Sequence, residues 1–205
     1  PAILVTVYWA LFSMTKILFR QLLIGLMVGI ILVAGFYFFA QPYTYQGSFI
    51  EPPLPAADFS LSRSDGTIFR LSDQQDKLVL LYFGYTACPD VCPTTLYDLT
   101  KVKTRLGEED ASKIQVVMVT VDPERDTSDL LEKYVTAFDP LFIGLSGSME
   151  ELESIWSSYG VYRKRQDNTG ATGYLVDHTA RVYVVDANEN LRLTYPFGMT
   201  AEAMA

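Results

Sequence analysis

The sequence predicts an α/β domain built on a mixed sheet flanked by helices, preceded by a single N-terminal transmembrane helix. Three observations predict it. Residues 22–40 (LLIGLMVGIILVAGFYFFA) carry no charge over a length that crosses a bilayer as one helix. Two runs, LVLLYF at 78–83 and QVVMVTV at 115–121, are apolar on both faces, as central strands covered on both sides must be. Segments with apolar residues at helical spacing separate these runs, and two strand-like segments close the chain as an antiparallel hairpin, so the sheet is mixed.

The elements follow in order. Lys16 and Arg20 lie just before the apolar run and no acidic residue occurs before Glu51, so the positive-inside rule places residues 1–21 in the cytoplasm and everything after 40 across the membrane. The run ends in Phe36, Tyr37, Phe38 and Phe39 rather than a small-residue cleavage site, which favours an uncleaved anchor over a signal peptide. With Tyr43 and Tyr45, these aromatics suit the outer membrane interface. Residues 1–13 are apolar but separated from the span by the basic MTKILFRQ, and Met14 is the expected true start. The lack of an Arg-rich transit segment leans toward a bacterial inner membrane, with the domain in the periplasm, over a mitochondrial one, with the domain in the intermembrane space.

Residues 41–57, rich in Pro and Tyr, read as an extended linker, and 58–205 as the folded domain. FSLSRS and TIFRLS flank Asp65-Gly66, a two-residue hairpin turn. Leu96, Leu99, Val102 and Leu106 share one face of a helix over 93–106 that Gly107 ends. Asp126 or Thr127 caps a helix through Phe138, residues 141–145 form a short strand, and Ser148 with Glu151 forms a capping box for a helix that stops at Gly160. RVYVVD at 181–186 and residues 191–195 are the closing hairpin. Thr200 can cap a last helix, but a single turn is too short to stand alone, and a sequence truncated at its C-terminus is expected.

Charge narrows the function. Of 16 basic residues only Lys16 and Arg20 precede the domain, leaving 14 against 24 acidic ones from Phe49 onward, a net charge of −10. A polyanion is repelled by that surface, which argues against a nucleic-acid partner. The extracytoplasmic setting permits disulfides, yet two cysteines are not a disulfide scaffold for a domain of this size.

Both cysteines fall in YFGYTACPDVCPTT, directly after a buried strand. Cys88 ends the loop and Cys92 opens the following helix, a spacing of four that lets the two sulfurs meet on one helix face. The positive end of that helix favours thiolate over thiol, and Pro93 suits a first turn because its missing N–H costs no bond there. Strand, loop, Cys-containing turn and helix in that order is the thioredoxin-like arrangement. A purely structural disulfide would close too small a loop to stabilise much, while a redox dithiol and half of a metal site both remain open. His178 is the sole histidine and sits at the mouth of a strand; two thiolates and one imidazole form a soft, low-coordinate set that copper accepts in either oxidation state. Spacing alone does not bring His178 to the sulfurs. Asp90 reads either as the helix N-cap or as an acceptor behind the sulfurs that tunes transfer. VTVDPERDT at 119–127 reads chiefly as a strand-ending turn with Asp126 capping the next helix, Asp122-Pro123 shaping a loop near the site; Tyr82, Tyr85 and Tyr174 read as packing or rim residues.

Together, YFGYTACPDVCPTTL, VTVDPERDT and the Asp177-His178-Thr179 before VYVVD resemble the Sco/SenC family of membrane-anchored copper chaperones, in order across the whole soluble domain and with the same N-terminal anchor. The resemblance implies a thioredoxin-like fold in which Cys88, Cys92 and His178 bind Cu(I) or Cu(II) and Cys88 and Cys92 also form a redox disulfide. It implies a recipient, the binuclear copper centre in subunit II of cytochrome c oxidase, and an unknown copper donor. The alternative is a thiol–disulfide oxidoreductase in which Cys88 attacks and Cys92 resolves, the recipient's cysteines being possible targets. Thioredoxin-type enzymes normally place two residues between their cysteines and a proline opposite them; this chain has three residues and Asp177-His178-Thr179. An enzymatic role is therefore the less favoured of the two.

Overall fold

In the computed structural model, which describes residues 2–40, 46–167 and 173–205, the two fully apolar runs occupy the middle of a six-stranded sheet. Strand β4 (Leu78–Gly84) pairs in parallel with β5 (Ile114–Thr120), and β5 in parallel with β6 (Ile143–Leu145). On its other side β4 pairs antiparallel with β9 (Arg181–Val185), β9 with β10 (Asn190–Pro196), and β10 with β1 (Ser48–Pro55). The order across the sheet is β1-β10-β9-β4-β5-β6, mixed as expected. Alternation along β4 divides its side chains between the two faces. Tyr82 points toward helix α2 (Val91–Ala111) and donates from its hydroxyl to Cys92 Sγ; Phe83 on the opposite face packs its ring 5.6 Å from both Tyr159 and Tyr183. Both faces are covered, which is why this strand carries no polar alternation.

Local signals in the sequence set the helices. α2 begins at Val91, two residues before the expected start, with Pro93 still among the N-terminal positions that have no intrahelical acceptor. At Gly107 the backbone turns to φ 77°, breaking the helix where it was expected to end, and a further turn runs on to Ala111. Helix α3 (Ser128–Thr136) is capped by Thr127, whose side chain accepts from the Leu130 amide, and α4 (Met149–Ser158) carries the complete Ser148–Glu151 capping box. The hairpin of β2 (Ser60–Ser62) and β3 (Ile68–Arg70) turns at Asp65-Gly66, but not as a two-residue turn: Ser62 faces Ile68 and the Arg63 amide donates to the Thr67 carbonyl, so Ser64 joins the loop; a short 3-10 turn follows at Leu71–Gln74. The short helix α5 (Ala201–Met204) is capped by Thr200 and held by its neighbours: Ala201 is buried, the Tyr195 hydroxyl donates to the Met204 carbonyl and Arg105 pairs with Glu202.

Three further features depart from the sequence reading. Part of the segment expected to be linker, Ser48–Pro55, is an extended edge strand of the sheet; Pro52 and Pro53 interrupt its register between Phe49 and Leu54, a lapse that an edge tolerates and an interior strand does not. Residues 41–45 of that segment lie outside the described residues. A second ribbon, β7 (Arg163–Gln166) with β8 (Leu175–His178), was not anticipated, because RKRQ has no apolar face to betray a strand. In the N-terminal unit, residues 1–44, helix α1 runs without a break from Ala2–Phe39, since nothing in MTKILFRQ disfavours helix. Leu18–Phe39 within it is long and apolar enough to cross a membrane, and none of it is buried in protein.

Candidate functional site

The strand–helix turn after β4 delivers both sulfurs. Cys92, in the first turn of α2, is wholly buried; Cys88, in the loop before it, is partly exposed, and its sulfur accepts the Cys92 amide at 3.4 Å. Gly84 makes room for them: a Cβ there would stand 2.7 Å from the Tyr82 ring, 3.0 Å from Cys92 Sγ and 3.0 Å from Met118. A side chain at this position would first displace the Tyr82 ring, whose hydroxyl donates to Cys92.

From 86 residues away, β8 brings His178 Nε2 to 3.7 Å from Cys92 Sγ. The ring is fixed from behind, its Nδ1–H donating to the Thr179 carbonyl at 3.1 Å. That bond selects the tautomer with an Nε2 lone pair aimed at the sulfur, and burial holds the imidazole's pKa below its ordinary value, so the ring is neutral. The Tyr85 ring stands edge-on, 5.8 Å away.

The two sulfurs differ in charge state. A hydrogen bond from the Cys92 thiol, with further ones from the Asp90 and Cys92 amides, brings Cys88 down to about 5 against the cost of its burial. The same interaction, with burial and the neighbouring Cys88 charge, pushes the Cys92 thiol up. At neutral pH the pair therefore holds one thiolate, on the more accessible sulfur. A cleft of about 390 Å³ opens over Cys88 and His178, its walls including Tyr85, Pro89, Val91 and Leu175. Among the described residues no three His, Cys, Asp or Glu side chains stand preassembled as a metal cage. Cys92 and His178 are in contact, and Cys88 lines the same cleft as His178. A soft ion of low coordination number fits this donor set, two sulfurs and one imidazole nitrogen, better than a hard cation that demands several oxygens.

Asp90 occupies the N-cap position without capping: its side chain makes no cap bond, is exposed, and accepts from the Thr94 hydroxyl at 3.4 Å, while its amide faces Cys88. The residue that organises the loop is one the sequence reading assigned elsewhere. Asp126 was a cap candidate, but Thr127 takes the cap and frees Asp126 for the interior. There it is wholly buried and accepts from the Thr86 amide at 3.1 Å, the Thr86 hydroxyl at 2.6 Å and the Thr120 hydroxyl at 2.7 Å. Thr86 is two residues from Cys88, so Asp126 ties the sulfur loop to the end of β5. Tyr82, read as packing, also touches the site through its hydroxyl, 3.3 Å from Cys92 Sγ. Two carboxylates bracketing an arginine directly after a buried strand, as in DPERD, are the signal that could have pointed to the interior role.

The fold and the site define a thioredoxin-like domain whose helix-start dithiol has been joined by one imidazole on its inner sulfur. Residues 50–205 match the family model described as SCO1/SenC. The chain belongs to that family. Among curated relatives, the SCO2-like protein of Rickettsia felis is 36% identical over 134 residues, 64% of this chain and 64% of that protein. The mitochondrial SCO1 homolog 1 of Arabidopsis thaliana is 39% identical over 132 residues, 64% of this chain and 39% of that protein. The chain thus spans less than two thirds of the length of these relatives. Among solved structures, the apo Sco1 of Thermus thermophilus superposes with a TM-score of 0.68 at 42% identity, covering 76% of this chain and 89% of that one. The Arabidopsis thaliana ScoI crystal structure with copper bound does so with a TM-score of 0.68 at 35% identity, covering 73% and 92%.

Proposed function

We propose that this protein is a membrane-anchored copper chaperone that carries one copper ion between Cys88 Sγ, Cys92 Sγ and His178 Nε2 and delivers it to the binuclear copper site in subunit II of cytochrome c oxidase. The observation that carries the reading is the 3.7 Å approach of the lone histidine to the inner sulfur, across 86 residues of sequence. The copper-bound Arabidopsis relative supports it. Copper is the cargo. Cys88, accessible and already ionised at neutral pH, meets it first; Cys92 gives up its proton as the second sulfur binds, and Nε2 adds the third donor. A three-coordinate ion keeps one face open, so a thiolate of the recipient can bind the copper before each ligand in turn lets go. Relatives occur in a bacterium and in mitochondria, and for this chain the reading places helix Leu18–Phe39 in the inner membrane with the domain on its outer side.

The contrast between an accessible thiolate and a buried thiol also suits a reductase, the second reading. The Cys88 thiolate attacks a partner disulfide, releasing one partner thiolate and forming a mixed disulfide. Deprotonated Cys92 then attacks Cys88, the second partner thiolate leaves, and two electrons have passed from this pair to the partner. One experiment separates the two. Titrating the full chain in detergent with copper under anaerobic conditions is expected to saturate at one ion per chain, and His178→Ala is expected to weaken copper(II) by about tenfold or more while leaving thiol–disulfide exchange intact. Unchanged metal affinity and spectrum in His178→Ala, with rapid reduction of protein disulfides, would leave the reductase standing alone.

A further inference from the structure

The histidine reaches the sulfur from a ribbon outside the main sheet, at the end of β8, and something has to hold that ribbon in place. The segment between β5 and α3 supplies the hold. Asp122 is wholly buried; one of its oxygens takes the Nε–H of Arg125, and the other takes the Tyr174 hydroxyl at 2.7 Å. Arg125 in turn donates from Nη1 to the Tyr174 carbonyl at 3.0 Å and lays its guanidinium 3.7 Å from the centre of the Tyr174 ring. Its other neighbour is Tyr85, 5.6 Å away, whose hydroxyl accepts the Val176 amide and whose ring stands against His178. Tyr174 immediately precedes β8, four residues before His178. The same short segment holds the sulfur loop through Asp126 and Thr86.

We propose that Asp122, Arg125 and Tyr174 form a clamp that positions His178 against Cys92, making the 122–126 segment the common bar to which both halves of the site are fixed. The proposal rests on reading His178 as a ligand. All three are positioning residues, for none touches Nε2 or a sulfur. The aromatic ring between the guanidiniums of Arg125 and Arg165, each 3.7 Å from its centre, sets the lateral position of the strand, and the buried Asp122 bond sets its depth. Without the hydroxyl, the ring still stacks and the Arg125 bond to the Tyr174 carbonyl remains, but the side chain ahead of β8 loses its bond to the buried Asp122 and with it the fixed depth of the strand. The dithiol is untouched, so the clamp bears on the oxidation state that leans more on nitrogen.

The test uses the full chain in detergent with isotope-labelled histidine. Because His178 is the sole histidine, its ring signal assigns itself. In Tyr174→Phe we expect, without copper, a broadened ring signal, a weaker contact with the Tyr85 ring and a smaller share of the Nδ1–H tautomer. With copper, copper(II) affinity is expected to fall about tenfold and copper(I) affinity by no more than about twofold. Arg125→Met is expected to exceed both effects; if it does not fold, Tyr174→Phe decides alone. A wild-type ring signal with wild-type copper(II) affinity in Tyr174→Phe overturns the clamp. So does an equal loss in both copper states in step with the melting temperature, which is general destabilisation. His178→Ala run in parallel separates the two readings: if it leaves copper(II) binding unchanged, the ligand set fails, while the copper-free ring signal still decides the clamp.

Discussion

Burial and hydrogen bonding make the two cysteines unlike, although each is followed by a proline in the sequence. Cys88 sits at about 5, chiefly because the Cys92 thiol donates to it, and is the accessible sulfur; Cys92 is buried beneath the Tyr82 hydroxyl and the imidazole. The thiolate is the nucleophile, and lowering its pKa populates it at lower pH. Alkylation of the copper-free, reduced protein by iodoacetamide is therefore expected to rise with pH through about 5 and to level off above it, at Cys88 alone. Cys92 reacts only after unfolding. Peptide mapping after a pH series checks both statements; a midpoint near the ordinary thiol value, or equal labelling of the two, would remove the asymmetry on which the order of ligand capture depends.

Between β5 and α3, adjacent residues divide two duties that sequence alone cannot assign. Asp126 and Thr127 are both good N-caps; Thr127 caps, and Asp126 turns inward to three donors. Replacing it by Ala leaves the Thr86 amide without a partner and is expected to cost about 3 kcal/mol, with faster amide exchange in the loop before Cys88. Desolvation raises the Asp126 pKa despite those bonds. A carboxyl raised by folding adds stability that is complete below the ordinary value of 3.8 and is lost as pH rises through the folded value. Wild type should thus gain on Asp126→Asn as the pH falls, which urea denaturation across a pH series measures. The elements themselves were largely legible, because capping boxes, a Gly-terminated helix and two-faced apolar strands are local signals. β7 and β8 were not, since a polar ribbon is stabilised by contacts such as the Tyr174 clamp that join residues some 50 positions apart. The same limit applied to the site. Cys88 and Cys92 could be placed together by their spacing, but the approach of His178 and the inward turn of Asp126 are products of tertiary packing.

At the scale of the molecule, the question is where the folded domain begins. The Pro-rich composition of 41–57 suggested a spacer, yet β1 completes the sheet by covering the edge of β10, and the segment is sewn in further by the Ala56 amide bond to the Glu189 carbonyl and by the Tyr159 hydroxyl bond to the Ala57 carbonyl. An uncovered β10 would present a row of unpaired backbone groups to other chains. A chain begun at residue 58 should accordingly melt lower than one begun at residue 46, by about 2 kcal/mol or roughly 4–8 °C, and should self-associate where the longer chain stays monomeric. Tyr159 is the sensitive reporter, because its ring packs on Phe83 beneath the sheet, and loss of its acceptor would loosen that side of the core. Thermal denaturation and sedimentation of the two chains decide the matter. Equal midpoints and equal mass would return β1 to the role of spacer.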